Sequence, residues 1–181
     1  MKSHILTYAQ LNESNEVDNL SFEEVGRLVE LGLLDEDLLK IYNYVKNGSI
    51  GELDLAHSML THLPNWLTEI DEDLCMSNSN IEDIPDSLTI NYSIFASNSK
   101  LKEFRKTEVF GSLGLNYTQI TKLPDNLIVH GYLSVEGIQF EKIPIGLQIQ
   151  GHLLISGSNL EQFSDEELRK MYKISGTIYR Y

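Results

Sequence analysis

LGLNYTQITKLPDNLIVHG at residues 113–131 is followed, after Tyr132, by LSVEGIQFEKIPIGLQIQG at residues 133–151. Laid over each other, the two stretches put apolar residues in shared columns: Leu113 over Leu133, Leu115 over Val135, Ile120 over Phe140, Leu123 over Ile143. The same offsets recur outward about every twenty positions. Leu53, Leu55, Leu60 and Leu63 form one set, Leu74, Met76, Ile81 and Ile84 the next. Ile94, Ala96, Leu101 and Phe104 form the third, and Leu153, Ile155, Leu160 and Phe163 close the series. Six copies with constant offsets define a solenoid, because so short a unit buries its apolar face only against its neighbours.

The paired apolar residues of each copy have period two, so both point inward while their neighbours point to solvent. That predicts one short strand per coil, stacked into a parallel sheet at roughly 4.8 Å spacing, in a rod about 30 Å long. Ser58, Ser79, Ser99, Thr118 and Ser158 share a column just after the strand, where a short hydroxyl bonds backbone at the bend and in the next coil; Ile138 alone breaks it. Proline after the next apolar residue stops a helix and favours an extended return leg. The second apolar pair, Leu127 with Val129 and Leu147 with Ile149, predicts another extended run before Gly131 and Gly151 turn the corner.

The phrases TQITKLP (118–124) and NLIVHGYLSVEG (126–137) resemble a leucine-rich repeat of the short bacterial type, and repeats of bacteriophage and prophage proteins. The resemblance covers about two thirds of the chain. It implies partner binding through the strand-lined face and carries no catalytic residue with it. The asparagine common in such repeats is replaced here by Ser or Thr, and Arg105 and Ser164 stand where other copies have proline. Coil length slips by one residue around Leu74 and Leu113. The expected fold is therefore an α+β, leucine-rich-repeat-like solenoid of about six coils at 51–163, with an N-terminal arm and helical cap at 1–50 and a helix/strand cap at 164–181.

Capping signals mark both ends. Ser21-Phe22-Glu23-Glu24 is a capping-box pattern, and Val25, Leu28, Val29 and Leu31 follow at helical spacing until Gly32. Asp35 opens a second helix with Leu38, Leu39, Ile41, Tyr42 and Val45, closed by Asn47-Gly48. The two helices cap the first coil or form a separate docking module. His4 to Tyr8 reads as a strand and Asn12 to Asn19 as a polar linker. Ser164-Asp165-Glu166-Glu167 opens a helix to about Tyr172, and 173–181 alternates as a final strand over the last coil's edge. Tyr172, Tyr179 and Arg180 there serve either as cap or as binding residues.

The chain has 181 residues, 41% of them hydrophobic, enough for one capped solenoid and no second sizeable domain. One cysteine excludes an internal disulfide framework and fits a reducing compartment. With neither a long apolar run nor a signal-peptide core, the expected location is cytoplasmic, in a bacterium or infected host cell. Net charge is −13, unevenly placed: residues 1–90 carry 18 acidic and 4 basic side chains, and residues 91–181 carry 9 and 10. An acidic first half repels nucleic acid and speeds encounter with a basic partner.

Catalytic groupings are missing from the sequence. The histidines, His4, His57, His62, His130 and His152, have no zinc spacing with Cys75, and no phosphate loop, nucleophile elbow or paired-carboxylate signature occurs. Neither enzyme activity nor a cofactor or metal is expected. A basic group at Lys100, Lys102, Arg105 and Lys106 is interrupted by Glu103 and makes nucleic acid an unfavoured partner. The candidate partner-binding residues flank the strands: Glu52, Asp54, Asp73, Phe95, Asn116, Tyr132, Glu136, His152 and Leu154. Phe95, Tyr132 and Leu154 read as exposed apolar positions with no folding reason to be apolar, as contact surfaces show. The leading expectation is a non-enzymatic module that docks, and inhibits, a host protein. The alternatives are an acidic decoy imitating nucleic acid and a structural assembly component; the sequence leaves oligomeric state open.

Overall fold

The computed structural model describes residues 20–32 and 34–180. The expected strand at His4 to Tyr8 and linker at Asn12 to Asn19 lie outside the described residues. Stacked parallel strands form the solenoid, as the repeats require. β1 (Leu53–Asp54), β3 (Leu74–Cys75), β5 (Ile94–Phe95), β7 (Leu113–Gly114), β9 (Leu133–Ser134), β11 (Leu153–Leu154) and β13 (Ile178–Tyr179) make one seven-stranded sheet in chain order. Its register pairs Leu53, Leu74, Ile94, Leu113, Leu133, Leu153 and Ile178, so the inward column of the sequence is the inward column of the sheet. These side chains are all buried and belong to one continuous core with the later apolar columns.

The return legs add the second extended run. β6 (Glu108–Val109), β8 (Ile128–Val129), β10 (Gln148–Ile149) and β12 (Lys173–Ile174) form a four-stranded sheet, while β2 (Glu69–Ile70) and β4 (Thr89–Ile90) pair separately. The break falls at the short third coil, where only five positions separate Phe104 from Val109 against six between Leu123 and Val129. The missing residue removes the ladder between β4 and β6. Pro64 and Pro85 do not begin extended backbone: their carbonyls accept from the amides of Leu67 and Leu88, 3.0 and 3.1 Å away, closing tight turns.

The hydroxyl column works within each coil. Ser58, Ser79, Ser99 and Ser158 are buried, and their Oγ atoms accept from the amides of Leu60, Ile81, Leu101 and Leu160. Just before them lies a left-handed column: His57, Asn78, Asn98, Tyr117, Gly137 and Gly157, with φ between 55° and 73°. Glycine, asparagine and histidine tolerate this backbone, whereas the bulky Tyr117 holds it under strain. A second column contains Gly111, Gly131, Gly151 and Gly176, where the coils approach too closely for a side chain. A Cβ on Gly151 would lie 2.6 Å from the Gly131 oxygen.

Both ends are capped as expected. α1 (Phe22–Glu30) and α3 (Asp165–Met171) carry complete capping boxes at Ser21 and Ser164, and α2 (Glu36–Lys46) is capped by Asp35. Phe22 stacks on Tyr42 at 4.6 Å and meets Trp66 edge-on at 5.3 Å, so the α1–α2 pair is docked on the first coil. At the other end, the alternating tail is two strands and not one. Gly176 turns the chain between β12, which joins the second sheet, and β13, which closes the first. Arg180 folds back onto Asp165 and onto the carbonyls of Glu161 and Phe163, and Tyr172 is buried with its hydroxyl on the Pro144 carbonyl. Both residues therefore act in the cap.

Candidate partner-binding face

Alternation puts Asp54, Cys75, Phe95, Gly114, Ser134, Leu154 and Tyr179 on the outer face of the seven-stranded sheet. Phe95 and Tyr132 are half-buried, not fully exposed as their sequence positions imply. Their ring centroids lie 6.5 Å apart, and the place where Gly114 lacks a Cβ is 3.5 Å from Phe95 Cδ1. The absent side chain thus gives Phe95 room to lie along the sheet. Leu154 is likewise half-buried. Ser134 is only 2% exposed, and among the described residues its Oγ has no hydrogen-bond partner. Burial first, and then the nearby Asp73 carboxylate, push the Tyr132 phenol above its ordinary acidity range.

Several polar candidates also stitch coil to coil. Asp73 accepts from the Ser93 amide at 2.8 Å, Ser93 Oγ from the Ser112 amide at 3.1 Å, and Ser112 Oγ from the Tyr132 amide at 3.2 Å. His152 Nδ1 accepts from the Thr177 amide at 3.0 Å. Asn116 and Glu136 form a two-way clasp: the Asn116 amide donates to Glu136 Oε2 at 2.8 Å and accepts from the Glu136 backbone at 3.0 Å. Asp54 accepts from the Ala56 amide, while its carbonyl receives Lys40 Nζ. Glu52 is exposed. The structure therefore places all nine candidates along one side of the rod.

A feature the strand-based reading missed lies at the corner beside Asp73. Asp71, Glu72, Asp73, Asn91 and Tyr92 line a cleft of about 370 Å³, and Tyr92 is 57% exposed. The signal was in the repeat alignment: Glu72 and Tyr92 stand in the column occupied by Gly111, Gly131, Gly151 and Gly176. Among the described residues, no cation lies within ion-pair distance of Asp71, Glu72 or Asp73, nor of Glu52 or Asp54. Several acids farther along are paired, as in Lys102–Glu82, Arg105–Asp86, His130–Glu108 and Lys142–Asp125.

Three of the four basic residues are engaged by the fold, while Lys100 is exposed. Lys102 and Arg105 are in ion pairs, and Lys106 donates to the carbonyls of Pro85, Asp86 and Leu88. Of the histidines, His57 is exposed, while His62 is half-buried against Asp83 at 2.7 Å. Among the described residues, no group of three or more His, Cys, Asp or Glu is placed to hold a metal ion, and no helix is long and apolar enough to cross a membrane. No protein-family model, curated protein or solved structure matches the chain.

Proposed function

We propose that this protein is a non-enzymatic binding module that docks a partner protein on the outer face of its seven-stranded sheet. The observation that carries the reading is the half-buried Phe95–Tyr132 pair on that face, beside an end where, among the described residues, no cation pairs with Glu52, Asp54, Asp71, Glu72 or Asp73. Aromatic anchors held by a rigid sheet lose little entropy on binding and usually dominate contact energy. The likeness of the repeats to those of bacteriophage proteins supports a role in occupying and so inhibiting a host protein, and the lone Cys75 is in keeping with the cytoplasm.

Affinity capture from bacterial lysate tests it, with the intact chain against Phe95→Ala and Tyr132→Ala. The reading expects one captured protein to be lost with both variants and retained by the Cys75→Ala/His57→Ala double variant. Capture that ignores both rings but disappears on altering the caps sinks it. A second reading, an acidic imitation of nucleic acid, draws on the same carboxylates. It expects the captured protein to be displaced by duplex DNA and to be insensitive to Phe95→Ala.

A further inference from the structure

The binding-face reading leaves the chemistry of the partner open, and three features narrow it. The first is the corner cleft, where the Asp71, Glu72 and Asp73 carboxylates meet the exposed ring of Tyr92 with no cation among the described residues to neutralise them. The second is continuity: Asp73 belongs both to the cleft and to the flank of the sheet, where its carboxylate accepts from the Ser93 amide of the next coil. The third is independent of charge. Ser134 points outward in the column of Phe95, is 2% exposed, and has a hydroxyl with no partner among the described residues, whereas Asp73, Ser93, Ser112 and His152 each accept from a backbone amide of the next coil. A buried orphan hydroxyl in a native fold calls for a partner.

We infer that the sheet face from Asp73 to Ser134 receives an extended, basic segment of the partner protein. One lysine or arginine side chain enters the cleft against Tyr92, and farther along the segment passes over Ser134, whose covered hydroxyl a polar group of the partner reaches by displacing the groups above it. Acid alone attracts any cation, but acid beside an aromatic face favours a cation carried on an apolar stem. Asp73 and Ser134 are three coils apart, about 14 Å at the spacing of parallel strands, which about four extended residues span. A chain crossing the coils therefore reaches both places.

The probe is a fluorescein-labelled arginine-rich nonapeptide, with the same peptide carrying citrulline as the neutral control, read by fluorescence anisotropy on the full chain. The expected result is binding of the arginine peptide only. Tyr92→Ala and Glu72→Gln should each weaken it by about five- to tenfold, within the range of a partly desolvated cation–aromatic contact. Glu103→Gln with Glu141→Gln, which remove exposed charge elsewhere, should change it less than about twofold. Melting curves establish that each variant is folded. Equal losses at both places mean bulk attraction and overturn the inference, as does citrulline binding as well as arginine. Unchanged affinity in Ser134→Ala overturns the path across the sheet. This inference rests on the binding-face reading, yet the two fail separately. If the arginine peptide does not bind while capture still requires Phe95 and Tyr132, only the basic partner is refuted.

Discussion

The Lys106 ammonium donates to the Leu88 carbonyl, at the place where neighbouring coils supply a backbone amide. Thr68, Thr107, Leu127 and Leu147 occupy the same column, and their carbonyls accept from the amides of Thr89, Ile128, Gln148 and Lys173. The third coil is one residue short and cannot reach, so a side chain does the work of the missing ladder. Burial pulls the Lys106 ammonium below the usual lysine range, as expected for a cation satisfied by carbonyls more than by counter-charge.

Lys106→Met should therefore destabilise the protein by about 1–3 kcal/mol, because it strands a carbonyl in a half-buried gap. Lys102→Met, which breaks only an exposed ion pair with Glu82, should cost less than about 1 kcal/mol. Urea denaturation of both variants checks the contrast. Equal costs mean that Lys106 is an ordinary surface charge.

Gly131, at the bend between coils, and Gly114, within β7, should behave oppositely. A Cβ on Gly131 would sit 2.8 Å from the Gly111 carbonyl carbon and oxygen, so neighbouring coils must part to admit it. Gly131→Ala should cost about 1–3 kcal/mol. On Gly114 the nearest atom is Phe95 Cδ1 at 3.5 Å, an ordinary contact. Gly114→Ala should stay within about 0.5 kcal/mol. A comparable melting-point loss in both variants means that the glycine column is not where the coils touch.

Those columns show what one sequence reveals about such a fold. Inward leucines and isoleucines recur because burial selects residue type strongly, so strand register was legible in Leu53, Leu74 and Leu113 alone. The capping boxes at Ser21 and Ser164 were legible for the same reason, being local. The role of Asp73, Ser93 and Ser112 was not, since a side chain that bonds the next coil looks like any polar surface residue. The left-handed column was hidden because His57 and Tyr117 break its Asn/Gly pattern, though Asn78, Asn98, Gly137 and Gly157 carried it. The half-burial of Phe95 depends on the empty space at Gly114, a relation between coils that no single repeat contains.

Tyr172 gives the C-terminal cap a defined alkaline limit. Burial raises its phenol from an ordinary value of 10.0 to about 12, and its hydroxyl donates to the Pro144 carbonyl at 3.1 Å. The folded state favours the neutral form, so this contribution is complete below the unfolded value and is lost as pH rises from about 10 through about 12. Tyr172→Phe should lower stability near neutral pH by about 1 kcal/mol, the net worth of a buried hydrogen bond. It should also flatten the alkaline fall in stability. A tyrosinate absorbance titration in which the intact protein and the variant differ by an ordinary, early-ionising tyrosine refutes the assignment.

Rates separate the two ends of the binding face. Glu52 lies exposed at the acidic end of the sheet and makes no ion pair among the described residues, so its charge acts at a distance. Tyr132 is half-buried beside Phe95, so it acts on contact. With the captured partner in hand, Glu52→Gln should slow association and weaken its dependence on salt, leaving dissociation unchanged, because exposed charges steer more than they hold. Tyr132→Ala should accelerate dissociation by about tenfold or more while association stays within about threefold, because anchor residues act mainly on release. Both rate constants, measured at two ionic strengths, decide the matter. If Tyr132→Ala changes only association, or if Tyr179→Ala in the cap dominates dissociation, the partner does not rest on the aromatic pair and the docking face must be moved toward the end of the rod.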